Sequence, residues 1–192
     1  AMAGATDNLQ KYIDEIGMNC SSDSDLVITA GEQVSVGLLS MILNKIKIKS
    51  LSMLGWQVPI ITDKIYGKAK ILQIKSKTLL DHLRSVDVIV VAGFQGISVD
   101  GRITTLGRGG ADTSAVAIAA SIDADFCDIY TDVDGVYTTD PNKVPNAKRL
   151  DKISYEEMLE MASLGAKVLQ TRSVETAMNN EVFLRVLSSF SD

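Results

Sequence analysis

The chain is poor in several residue types that carry common chemistries: 192 residues hold two cysteines, one histidine, one tryptophan and three prolines. Cys20 and Cys127 form no CxxC pattern and have no histidine nearby in sequence. That excludes a disulfide scaffold and a thiolate metal site, and both read as reduced, buried thiols of a cytosolic protein. His82 lies between Asp81 and Arg84 on a polar stretch and reads as a surface residue. Without a Ser/His/Asp or Cys/His set, covalent hydrolysis has no support. Positive charge is scarce as well, with 19 Lys+Arg against 24 Asp+Glu and a net charge of -5. An acidic chain has no overall basic field for nucleic acid, although a local basic pocket fits. The longest apolar run, Val88 to Phe94, is far short of the ~20 residues of a spanning helix. No basic segment followed by an apolar one opens the chain. These absences predict a cytoplasmic protein with no membrane or nucleic-acid partner.

What is present is ordinary globular material, 46% hydrophobic and 22% charged, enough for one domain with a sizeable core. Apolar periodicity alternates between helices and short apolar strands, the pattern of an α/β fold. Leu9, Tyr12, Ile13 and Ile16 predict a helix after Gly4. The polar run Ser21 to Asp25 reads as a loop, and Leu26-Val27-Ile28-Thr29 as a strand. A second helix is expected from Glu32 through Ile46, strands at Ile48 to Met53 and Ala69 to Ile74, and a helix capped by Ser76. The β-branched segment Val86 to Ala92 predicts a strand buried on both faces at the centre of a parallel sheet. A hairpin-like Ser98 to Arg102 precedes an Ala-rich helix from Asp112 to Ile122, and Phe126 to Thr131 is a strand. Asp132 to Arg149 is a long loop, a length that points to function inside a compact domain. Ser154-Tyr155-Glu156-Glu157 is a capping box opening a helix. A further helix is expected at Lys167 to Met178 and a last strand at Val182 to Leu187.

Gly107-Arg108-Gly109-Gly110-Ala111-Asp112 is the sharpest local feature. Its glycines permit positive φ and close ligand approach, and the following helix presents free N–H groups to an anion. Arg108 can grip a carboxylate bidentately, and Asp112 can orient cationic groups or solvent. The turn is neither GxxxxGKS/T nor GxGxxG, so no P-loop or dinucleotide assignment follows. A plain glycine turn with Asp112 as a cap is the competing reading. Thr131 to Pro141 follows a strand, so its carboxylates and hydroxyls gather where ligands bind in open α/β sheets, or form only a turn-rich loop. It lacks the spacing of a calcium loop. Lys167, at the start of an expected helix, opposes the helix dipole unless an anion compensates it; it is a phosphate ligand or a solvated lysine. Glu32, placed at a strand end after Gly31, suits a substrate ammonium or serves the helix dipole. Thr6 reads as an N-cap.

Taken together, Ala3 to Thr6, Thr29 to Gln33, Val91 to Gly96, the TTLGRGG run Thr104 to Gly110, Tyr130 to Pro141 and Ser154 to Glu175 resemble the aspartokinases of the amino acid kinase family. The motifs occur in the family's order over nearly the whole chain, and TTLGRGG and LGAKVLQTRSVE are the most specific. The resemblance implies an open, mainly parallel sheet sandwiched between helices. It implies ATP-dependent phosphorylation of the L-aspartate β-carboxylate to 4-phospho-L-aspartate, the entry to lysine, threonine and methionine synthesis, with Mg2+ accompanying ATP. It places Thr6, Glu32, Arg108, Gly109 and Gly110 at the aspartate, and Asp112 and Lys167 at the catalytic centre. Tyr130, Thr131, Asp132, Tyr137, Asp140 and Lys167 fall to the nucleotide, with no residue assigned as a metal ligand, and a homo-oligomer is implied for the full-length protein. Alternatives are an inactive nucleotide- or amino-acid-binding fragment and another acyl-phosphate-forming amino acid kinase. Three departures stand out: Ala111 replaces the usual serine, Tyr66-Gly67 replaces the frequent His-Gly, and the family's N-terminal Lys-Phe-Gly-Gly strand and C-terminal ACT domains have no counterpart. The expectation is that residues 1–192 are one amino acid kinase domain, truncated at its N-terminus and without an ACT domain.

Overall fold

The computed structural model describes residues 2, 4–141, 143–165 and 168–190. The chain divides into two compact units, Ala1–Ser114 and Ala115–Asp192. The first begins with three helices, α1 (Ala5–Ile16), α2 (Ser22–Ile28) and α3 (Ala30–Lys45). There follow β1 (Ser50–Met53), β2 (Ile60–Thr62), β3 (Ile71–Ile74), α4 (Lys77–Leu83), β4 (Val88–Val91), β5 (Gln95–Ser98) and β6 (Ile103–Thr105). Helix α5 (Gly110–Ser121) opens in this unit and continues into the second, which adds β7 (Cys127–Thr131), α6 (Tyr155–Ser163), α7 (Thr171–Asn179) and β8 (Leu184–Ser188).

In the first unit β1 and β4 pair in parallel, Ser50 opposite Val88, and α3 and α4 pack on them. A second sheet runs β3-β2-β5-β6. Its central β2–β5 pair is parallel and its two outer pairs antiparallel. The expected hairpin joins β5 to β6 through Gly101, whose N–H bonds Ser98 O at 2.9 Å. In the second unit β7 and β8 pair in parallel from Cys127–Leu184 to Thr131–Ser188. Helices α6 and α7 pack together, and Val116, Met158, Leu169, Val174 and Ala177 form an apolar core with β7. Among the described residues three of five strand pairings are parallel, as the α/β reading requires.

Several elements differ from expectation. Leu26 to Thr29 is not a strand: Leu26, Val27 and Ile28 lie in α2 and Thr29 caps it. The cause is upstream, where Ser21 Oγ accepts Ser24 N–H at 3.0 Å and Ser24 Oγ accepts Ser21 N–H at 2.8 Å, a reciprocal box that starts a helix. Glu32 therefore sits in the first turn of α3, not at a strand end. Thr6 is not an N-cap but the second residue of α1, whose cap is Gly4 at φ 75°. Strand β2 lies in what reads as a connection around Pro59. Strand β4 is half-buried along its length, not fully buried, and Cys20 is exposed while Cys127 is buried.

Helices α2 and α3 follow each other across Thr29, and together Ser22–Lys45 holds an 18-residue window with a mean hydropathy of 1.7, long and apolar enough to cross a membrane by length and composition. Only 22% of its most apolar window is buried, and Val34, Leu38, Met41 and Ile42 are exposed. Thr29, Glu32 and Gln33 interrupt the apolar letters, so this run escapes a search for uninterrupted apolar residues.

Candidate active site

The glycine turn is built as its composition demands. Gly107 and Gly109 adopt φ of 76° and 68°, the left-handed region that other residues enter at a cost. Gly110 is required by space: a Cβ there would lie 2.8 Å from Phe94 Cδ2 and 2.9 Å from Leu106 Cβ. The Gly110 N–H closes the turn on Gly107 O at 2.9 Å, and Thr113 N–H begins the α5 ladder on Gly109 O at 3.0 Å. Ser114 Oγ donates to Gly110 O at 2.7 Å and accepts Phe94 N–H at 2.9 Å, tying the Gly93-Phe94 bend to the same helix start. Arg108 stands exposed at the tip. Among the described residues it has no hydrogen bond or ion pair, which leaves its guanidinium available to an anion.

Asp112 is half-buried in the first turn of α5, and burial pushes its carboxyl above the ordinary aspartate value. Arg108, Gly109, Gly110 and Asp112 are thus gathered on one turn. Glu32 and Thr6 sit on the opening turns of α3 and α1, half-buried, and α2 packs against both helices.

Sequence reasoning passed over Asp25, which it placed in a polar loop. Asp25 is 2% exposed. It accepts Gly67 N–H at 3.1 and 3.0 Å, Thr105 N–H at 2.7 Å and Thr105 Oγ1–H at 3.0 Å. Burial raises its pKa, against the pull of these donors. The one signal available was the Ser21-x-x-Ser24 box, which makes the next residue helical and turns it inward.

In the second unit Tyr130, Thr131 and Asp132 occupy the end of β7 and the residue after it. Thr131 Oγ1 donates to Asp132 Oδ1 at 3.1 Å, and Tyr130 is 64% exposed, so its ring is open to a ligand. The loop is pinned across its base, where Tyr137 and Arg149 form an antiparallel bridge. Tyr137 O–H donates to Asp134 Oδ1 at 2.9 Å, a bond that raises the tyrosine pKa. Arg149 lies 3.8 Å from the other oxygen of Asp134. Asp140 stands 3.9 Å from Lys143. A cavity of about 570 Å³ in this unit is lined by Asp134, Arg149, Tyr155, Phe183 and Arg185, among others. None of Tyr130, Thr131, Asp132, Tyr137 or Asp140 lines it, so the surface loop and not this cavity carries the predicted nucleotide residues. Lys167 lies outside the described residues; α7 begins at Thr171, after it.

The chain is similar over its whole length to known proteins. The chain is 53% identical over its whole length to an aspartate kinase of Pseudomonas fluorescens, covering 47% of that protein. It is 50% identical to aspartokinase 2 of Bacillus subtilis over 98% of this chain, again covering 47% of the relative. The chain therefore spans about half the length of these curated relatives. Among solved structures, the aspartate kinase from Synechocystis superposes with a TM-score of 0.86 at 48% identity, covering all of this chain and 32% of that one. E. coli aspartokinase III in complex with aspartate and ADP superposes with a TM-score of 0.83 at 33% identity, covering 95% of this chain and 42% of that one. Residues 2–188 match the amino acid kinase family as a whole, and the chain belongs to that family.

Proposed function

We propose that residues 1–192 form one amino acid kinase domain of an aspartate kinase, transferring the γ-phosphoryl group of ATP to the L-aspartate β-carboxylate to give 4-phospho-L-aspartate. The observation that carries the reading is the Gly107–Gly110 turn, which presents an exposed Arg108 without a protein partner among the described residues beside the opening of α5. A guanidinium and free amides beside a half-buried carboxyl suit a small zwitterion: Arg108 takes the α-carboxylate and Glu32 the ammonium, with Thr6, Gly109 and Gly110 completing the acceptor side. The nucleotide falls to Tyr130, Thr131, Asp132, Tyr137 and Asp140, with Lys167 neutralising the transferring phosphate and Asp112 orienting the reacting groups. Phosphoryl transfer between two anions depends mostly on positioning and charge neutralisation, so an acidic chain must concentrate its cations at these points. Mg2+ would arrive with ATP, held largely by phosphate oxygens and water; among the described residues no three His, Cys, Asp or Glu side chains gather as a cage of their own. The reading extends to a cytoplasmic enzyme that assembles as a homo-oligomer in its full-length form.

Hydroxylamine trapping of the acyl phosphate tests it. With ATP and the complete gene product carrying these residues, L-aspartate is the acceptor and L-glutamate is not. Arg108→Ala raises the KM for aspartate by roughly 10- to 100-fold, the range for a lost charged hydrogen bond, and leaves the melting temperature in place. Turnover of glutamate alone, or an unchanged KM in the variant, overturns the assignment.

A further inference from the structure

The predicted acceptor groups lie far apart in sequence, on α3 and on the turn after β6, and something must fix one against the other. The described residues contain one buried group placed to do this. Asp25 lies in α2, which leads through Thr29 into α3 and Glu32. Thr29 is fully buried, and its Oγ1 donates to Asp25 O and Leu26 O at 3.0 Å, so the two helices are joined by a tied corner. From that corner the Asp25 carboxylate reaches across to Thr105, the last residue of β6, and accepts hydrogen bonds from both its N–H and its hydroxyl. Thr105 is held from the other side too, its carbonyl accepting Ala69 N–H at 2.8 Å. Arg108 follows three residues later. The third donor, Gly67 N–H, belongs to the turn that Gly107 packs against: a Cβ at Gly107 would stand 2.9 Å from Gly67 O. The carboxylate therefore fixes both walls that frame the start of the arginine turn.

We infer that Asp25 is a positioning residue for the acceptor site: its buried carboxylate fixes the strand end that delivers Arg108 against the helix pair that delivers Glu32. The inference rests on the aspartate kinase reading for its consequence on catalysis, but not for the geometry. Asp25 does not touch the proposed substrate contacts, and its action passes through Thr105 and Gly67. A second link between α2 and the β5–β6 hairpin, Asp23 to Arg102 at 2.6 Å, is exposed and supplies an internal control.

Two variants test the inference in the complete gene product. Asp25→Asn keeps the shape but turns an amide N–H₂ toward an N–H donor, and Thr105→Val removes only the hydroxyl bond and keeps the fold if the first variant fails to accumulate. Hydrogen–deuterium exchange of a peptide spanning residues 106–112 is expected to quicken by ~10-fold or more in either variant, as a lost bond to a charged acceptor implies. The KM for aspartate rises by a comparable factor, with kcat and the KM for ATP within about threefold. Asp23→Asn leaves all these quantities unchanged. Unaltered exchange in both variants, a KM for ATP that climbs in step with that for aspartate, or an equal effect of Asp23→Asn overturns the inference. Because exchange is read without turnover, a wild type that fails to phosphorylate aspartate sinks the functional reading, while the exchange result still decides the role of Asp25.

Discussion

Asp112 occupies a position where stability and function pull apart. Folding half-buries its carboxyl and raises its pKa, so the protonated form is the one that folding favours. Its contribution is full below the unfolded value near ~3.9 and is lost as pH climbs through the higher folded value. Above that window the buried charge works against the fold. Asp112→Asn is therefore expected to raise the melting temperature at pH 7 and to lose that advantage below about pH 4. If the carboxylate is the working form, kcat falls on the acid side at a pH above the ordinary aspartate range, and the variant lacks that limb altogether. Equal thermal gains at both pH values, or an acid limb that survives in Asp112→Asn, would contradict this account. Arg108, Gly109, Gly110 and Asp112 were legible in sequence because glycine spacing before an Ala-rich run states its own geometry. Asp25 was not, since a carboxylate in the polar run Ser21 to Asp25 looks solvated until its helix turns it toward Thr105.

Periodicity placed the long helices, but capping did so unevenly: α4 forms although Ser76, expected to cap it, is itself helical and makes no side-chain cap bond. Helix α6 is the clearest, because Ser154 and Glu157 satisfy each other's neighbouring amides: Glu157 Oε2 accepts Ser154 N–H at 3.0 Å and Ser154 Oγ accepts Glu157 N–H at 3.2 Å. The cap ends the long loop and directs the chain into the apolar core that Met158 joins. Ser154→Ala is expected to cost about 1 kcal/mol, read as a lower urea midpoint, with the KM for aspartate unchanged. An unmoved midpoint would mean that core packing alone holds the helix start. Short apolar segments were the ones misread. Leu26-Val27-Ile28 has strand-like composition, but three apolar letters do not separate the two periods, and the Ser21 cap five residues upstream decided for helix. Strand β2 was invisible for the converse reason, since its three residues offer no period of their own and pair only because β3 and β5 flank them. The glycine turn and the capping box are local and were readable; strand pairing is not.

At the scale of the whole chain the two units are held by different interiors. The second has an apolar core of Val116, Ile129, Met158, Leu169, Val174 and their neighbours, and Ser173 is its one buried polar side chain among the described residues. The first buries Asp25, Thr29, Ser40, Thr62, Gln95, Thr104, Thr105 and Ser114 among scattered apolar residues. Such an interior is sensitive to how fully its polar groups are paired, because an unmet buried donor costs more than a met one contributes; Gln95 Nε2 is buried here without a partner among the described residues. Thr62 and Thr104 make the point. Both are fully buried and their hydroxyls lie 2.6 Å apart, with Thr62 Oγ1 also 2.9 Å from Asp63 O. Thr62 donates to Asp63 O and accepts from Thr104, so the two positions are unequal. Thr62→Val strands the Thr104 hydroxyl and is expected to cost about 1–3 kcal/mol. Thr104→Val leaves Thr62 with its carbonyl partner and costs less. The double valine variant removes both groups and should recover most of the loss, a positive coupling that a double-mutant cycle in urea measures directly. Additive losses in the cycle would show that the hydroxyl pair does not act as a unit.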